Sequence, residues 1–173
     1  YGKTDLLVTP PTLDGSVKRD KLAKVQKDPA AKEVAASIVS VLSIVRDGKA
    51  GSKQTDQINT SGVDPTAPDL TGAKIEEGRK LRGGNDLAID SEFARRKKLE
   101  SGDTLRLATP DGKKKFRVVA IMNYGSGVQF GGQGFASIPI ERARNVFDME
   151  SGYSQIAVRL DRDADAAAVQ KRL

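Results

Sequence analysis

The stretch from Gly72 to Ile121 constrains the fold more than any other part of the chain, because its punctuation is complete. Leu87, Ala88 and Ile89 make a short apolar strand. Asp90 or Ser91 offers an oxygen to cap a following helix, and Glu92 falls in its first turn, where the helix dipole favours negative charge. Arg95, Arg96, Lys97 and Lys98 lie toward the other end, where the dipole favours positive charge. Phe93, Ala94 and Leu99 supply a buried edge, and Gly102 is placed to stop the helix. Thr104 to Thr109 alternates, with Leu105 and Leu107 on one face. Pro110-Asp111-Gly112 turns the chain, and Phe116, Val118, Val119 and Ile121 return it as a partner strand. This strand–helix–hairpin unit carries no chemistry of its own and reads as scaffold.

The flanking sequence is organised symmetrically. Asp5 to Val8 reads as a strand stopped by Pro10-Pro11, and Lys18 to Lys27 as a helix with Leu22 and Val25 inward. Asp28-Pro29 interrupts that helix, and Pro29 can open a second short one capped by Asp28. Ile38 to Val45 is rich in β-branched residues and predicts a buried strand, completing a β-α-β opening. Arg46 to Ser52 is a linker or turn, Gln54 to Asp64 a strand, and Thr66 to Gly72 a loop. Asn123 to Phe135 contains five glycines and predicts the most flexible segment. Ala136 to Ile140 returns to strand, and Glu141 to Phe147 is an amphipathic helix with Ala143, Val146 and Phe147 inward. Gln155 to Leu160 alternates as a strand, and Asp161 to Asp165 offers caps for a last helix. Strand and helix at both ends around a β middle predict an α+β fold. One subdomain, residues 1–50 and 152–173, is interrupted by an inserted β-rich subdomain, residues 51–151.

Composition narrows the chemistry. The 173 residues hold no His and no Cys, which removes Ser-His-Asp and Cys-His catalysis, His-ligated metals and disulfides. None of the 23 acidic residues sits in an apolar run that would raise its pKa for acid–base work, and Glu76-Glu77 and Asp161, Asp163 and Asp165 lie in turn-like, solvated contexts. Gly78 to Gly84 has Gly84 where a P-loop needs Lys, and the Gly125–Gly134 segment precedes a strand and not a helix, so neither cradles phosphate. Asp161, Asp163 and Asp165 copy the first spacings of a calcium loop without its glycine and distal Glu. Net charge is +6, but the basic clusters at Arg79–Arg82, Arg95–Lys98 and Lys113–Arg117 lack an aromatic platform for nucleic acid. The expectation is no catalysis, no cofactor, no metal and no nucleic-acid partner. No apolar run approaches the ~20 residues of a bilayer span. The chain opens almost directly on a strand without Met and closes on a helical pattern, which reads as a piece of a longer polypeptide.

A set of short elements, weak singly, is telling in its order. It comprises Asp5-Leu6-Leu7-Val8-Thr9-Pro10, Gly62-Val63-Asp64-Pro65, Gly78-Arg79-x-Leu81 and Leu87-Ala88-Ile89. Ala94 with Gly102-Asp103-Thr104-Leu105, Phe116-x-Val118-Val119-Ala120-Ile121, Ile138-Pro139 with Ala143–Phe147, and Ile156-x-Val158-x-Leu160 complete it. In this order the chain resembles the periplasmic core domain of MacB/FtsX-type ABC transporter permeases. The resemblance implies a porter-like β-α-β subdomain interrupted by a β-rich, Sabre-like one, looped out between the first two membrane helices. It implies a non-catalytic, extracytoplasmic domain of a cytoplasmic-membrane protein, with ATP hydrolysed in a separate cytoplasmic domain or subunit. The implied partners are that ATPase, a second permease in a dimer, and a periplasmic adaptor or a lipoprotein. The function it implies is transmission of ATP-driven helix motion to substrates or proteins outside, in export or lipoprotein release. The alternative is a stand-alone protein-binding module of another secreted or membrane protein. The candidate partner-binding residues are the aromatics of the glycine-rich segment, Tyr124, Phe130 and Phe135.

Overall fold

The computed structural model describes residues 3–12, 15–45, 56–124, 133–149 and 151–173. Strand β1 spans Leu6–Val8, helix α1 Arg19–Gln26, and β2 Ala31–Ile44. Then come β3 (Gln57–Val63), β4 (Lys74–Gly78), β5 (Asp86–Asp90), α2 (Ser91–Lys97), β6 (Thr104–Thr109) and β7 (Gly112–Asn123). The chain ends with β8 (Gly134–Pro139), α3 (Ile140–Val146), β9 (Gln155–Leu160) and α4 (Ala166–Arg172). The α+β class expected from the sequence is the class observed.

Strand pairing produces two neighbourhoods that share β2. The first half of β2, from Ala31 to Ser37, lies antiparallel to β9, and β1 lies antiparallel to the other edge of β9. The opening β-α-β is therefore split, with the last strand of the chain between the first two. Val25 from α1, Ala36, Ile156 and Val158 from the strands, and Val169 from α4 form one apolar core there. The second half of β2 pairs with β3, and β3 with β8 in parallel. The circuit runs on through β8–β5, β5–β7 and β7–β6, and returns to β2 where Ser43 and Ile44 pair with Ala108 and Leu107. Six strands thus close on themselves. Each contributes to a second core, for instance Leu42, Ile58, Ile138, Ile89, Phe116 and Leu107. Closure leaves few free edges, the usual liability of an all-β layer.

Local chemistry explains the element boundaries and corrects several expectations. Asp90, not Ser91, caps α2, accepting from the Phe93 amide at 2.7 Å. Helix α2 stops before Gly102: Lys98 takes the left-handed conformation at φ 54, and its amide and that of Leu99 bond back to Ala94. Gly102, at φ 105, shapes the turn into β6 instead. Pro29 opens no helix, because β2 already begins at Ala31. Asp28 turns back on the Ala30 amide at 3.0 Å, and its other partner is distant in sequence. The β-branched run in β2 is not buried throughout. Its strand alternates, leaving Val39 and Val41 exposed at 40% and 48%. Strand β4 is wholly exposed and has no apolar alternation, so the sequence carries no signal for it. The β6–β7 turn forms as expected, with Thr109 opposite Gly112 and Gly112 at φ 99. Asp165 caps α4, accepting from Ala167 and Ala168. The expected linker at Arg46–Ser52 lies outside the described residues.

Candidate functional site

Tyr124 and Phe135 stand at the two ends of the glycine-rich segment, one just after β7 and the other in β8. Their rings meet edge to face with centroids 5.2 Å apart, a favoured aromatic geometry. Phe130, the third candidate, lies outside the described residues. Burial pushes the Tyr124 phenol above its ordinary pKa. A hydrogen bond with Ser137 pulls the other way, and the negative charges of Asp69 and Asp90 add to the rise. The phenol stays neutral at any physiological pH and serves as a packing group with one polar handle.

Beneath this pair lies a buried carboxylate. Asp90 is 6% exposed, and its two oxygens divide their work: Oδ1 accepts from Phe93 and Oδ2 from the Phe135 amide at 2.6 Å. One side chain therefore fixes the start of α2 and the entry of β8. Gly134 admits no side chain, because a methyl there would overlap the Phe93 ring. The sequence marks Asp90 only as a cap. Its second bond depends on β8 arriving beside β5, which no local pattern reports.

A second polar anchor sits in the segment before β5. Asp86 accepts two bonds from the Arg79 guanidinium, at 2.7 and 3.1 Å, and one from the Arg82 amide at 2.9 Å. The guanidinium bond holds the carboxyl below its ordinary pKa, with the Arg82 and Gly83 amides adding to this against a desolvation penalty. It closes the Gly78–Asp86 loop as a clasp and leaves no free base for chemistry.

Among the described residues, no group of three or more His, Cys, Asp or Glu is placed to hold a metal ion. No described helix is long and apolar enough to cross a membrane. Two open clefts lie beside the paired ends, one lined in part by Lys24, Asp28 and Arg172 and the other by Asp5, Lys32 and Arg159.

The arrangement is a split β-α-β joined to a closed β-rich unit, with an aromatic pair at the base of the glycine-rich segment. The chain belongs to the family of MacB-like periplasmic core domains, whose model matches residues 2–173, and is thus an extracytoplasmic domain of a MacB-like ABC transporter permease. Domains of this family are periplasmic regions of permeases and are not catalytic. Solved structures that share the fold include two transporter domains. The periplasmic region of MacB from Actinobacillus actinomycetemcomitans aligns with TM-score 0.67 at 16% identity, over 92% of this chain and 72% of that one. The extracellular domain of the noncanonic ABC-type transporter YknZ from Gram-positive bacteria aligns with TM-score 0.66 at 14% identity, over 95% and 86%. No curated protein matches the sequence.

Proposed function

We propose that the domain is a mechanical relay. Membrane helices of the permease, moved by ATP hydrolysis in a separate cytoplasmic domain or subunit, drive it against substrates or partner proteins outside the cytoplasmic membrane. The setting is export or lipoprotein release by a dimeric permease, with a periplasmic adaptor or a lipoprotein as the partner.

The observation that carries this reading is where the ends of the chain sit. Asp5 accepts from the Leu160 amide at 2.8 Å, Asp161 donates to Ala30 at 3.0 Å, and Arg172 grips Asp28 through two bonds at 2.8 and 2.9 Å. Both ends gather at the corner where β2 begins. A push delivered there enters β2 directly. That strand runs for 14 residues, about 46 Å at 3.3 Å each, from the first core into the second. The two cores support division into a porter-like unit (residues 1–50 and 152–173) and a Sabre-like insert (51–151), with β2 as the connecting rod. Tyr124, Phe130 and Phe135 are the proposed contact residues on the insert.

The test is coupling in the full-length permease with its ATPase. Arg172→Ala loosens the corner without touching either core. Export is expected to fall while ATP hydrolysis continues. Export at the original rate per ATP would refute the relay.

A further inference from the structure

Part of β7 presents an open sheet edge in the closed unit among the described residues. Strand β7 pairs with β6 along Gly112–Arg117, but on its other side β5 begins only opposite Arg117. Among the described residues, no strand pairs with that other edge between Gly112 and Phe116. The direction of the backbone groups follows from one bond. The Arg117 amide points away from β6 and donates to Asn85 at 2.9 Å. Alternation with period two sends the amides of Lys115 and Lys113 to the same side. The β6–β7 register is regular throughout, so nothing shifts that alternation. An exposed strand edge of this kind is a template for another strand.

The side chains along the edge decide what can use it. Lys113, Lys115 and Arg117 are exposed and share the outer face, opposite Ala108, Arg106 and Thr104, while Phe116 and Val118 point into the core. The three cations repeat about every 7 Å, the spacing of alternate residues in any extended strand. Among the described residues, none of the three has an ion pair. The nearest carboxylates by register are otherwise placed: Asp86 is held by Arg79, Asp103 accepts from the Glu100 amide, and Asp111 is in the turn. A second copy of the edge would set lysines against lysines, which disfavours self-pairing.

We infer that the Gly112–Phe116 edge of β7 receives an extended segment of a partner protein by strand addition, the segment carrying carboxylates at alternate positions. Its backbone bonds the amides and carbonyls of Lys113 and Lys115. Its acidic side chains lie along Lys113, Lys115 and Arg117. Backbone pairing supplies the affinity and the charge ladder selects the partner. The assignment stands on the edge geometry and not on the relay: binding is read on the chain itself, whereas relay action is read as coupling in the permease.

The experiment is a titration of the 173-residue chain with a synthetic peptide alternating Glu and Val, against a control alternating Lys and Val. Amide hydrogen exchange and chemical shifts are followed. The expected result is saturable binding of the acidic peptide alone, weakened by salt, with new protection at the Lys113 and Lys115 amides. Lys115→Glu changes an exposed side chain, keeps the fold, and is expected to weaken binding roughly tenfold, the order of one charge-assisted contact. No binding at millimolar peptide, binding without protection at those two amides, or equal binding by Lys115→Glu would each overturn the assignment. So would protection of the same amides that grows with protein concentration and no peptide, because the occupant would then be a second copy.

Discussion

Gly62 lies in β3 directly under α3, and the substitution Gly62→Ala tests how that helix is seated. A methyl at this position would meet the Ile140 Cα at 3.5 Å and the Ile38 carbonyl oxygen at 3.6 Å, both ordinary contacts. It would overlap the Ala143 methyl outright. The conflict is therefore with one atom, which is itself fully buried on a helix packed across β3. Helix α3 must lift, and overpacking of this kind costs about 1–3 kcal/mol. For a chain of this size that is roughly 3–10 °C in Tm. Ala143→Gly alone is expected to cost about 1–2 kcal/mol, from helix propensity and one lost buried methyl. The double variant returns the methyl from the other side of the same gap. Its loss is expected to fall short of the summed singles by at least about 1.5 kcal/mol, the coupling typical of residues in contact. Urea unfolding of the four proteins measures this. Additive losses, or a Gly62→Ala chain as stable as the parent, would show that α3 is not seated on Gly62.

Further outcomes follow from the two carboxylate anchors and the aromatic segment. Asp90→Ala removes a cap worth about 1 kcal/mol and takes the acceptor from the half-buried Phe135 amide, for a loss of about 2–4 kcal/mol in urea unfolding. Asp90→Asn, which keeps an acceptor, should lose less, and equal losses would count against the shared-carboxylate account. Arg79 lowers the Asp86 pKa, so the pair's stabilisation is complete at neutral pH and is lost as pH falls below about 4, toward the depressed native value. The stability gap between the parent and Arg79→Ala should shrink over that interval, and a gap independent of pH would remove the ion pair as its cause. Phe130→Ala is expected to weaken partner binding or transport with an unchanged melting curve, and full transport would remove that side chain from the proposed contact set.

How much of this was legible beforehand depended on the range of the interaction. The unit around α2 could be read from its caps, charges and alternation, because each signal acts within a few residues. Asp90, Glu92 and the Arg95–Lys97 run sit where the dipole and the free amides of a short helix require them. The helix stop departs from the sequence pattern for a related reason. Glycine is the usual left-handed residue, yet Lys98 adopts that conformation because the chain must bend before Gly102. Asp28-Pro29 has the pattern of a helix start, but β2 pairs with β9 from Ala31 onward, and that pairing claims the backbone first. Strand β4 has no pattern at all and exists because β7 offers it an edge.

By itself the sequence determined most of the local elements and the absence of His and Cys chemistry, since capping, periodicity and composition are properties of neighbouring residues; the order of its short elements carried the resemblance to the family. Tertiary structure alone decided that β9 lies between β1 and β2, that β6 returns to β2 to close the circuit, and that Asp90 serves both α2 and β8. It also decided that Lys113 and Lys115 lie along an edge of β7 that no other described strand pairs with. Each of these joins residues far apart in the chain, where the only selector is which buried surfaces and backbone groups satisfy one another once the whole chain has folded.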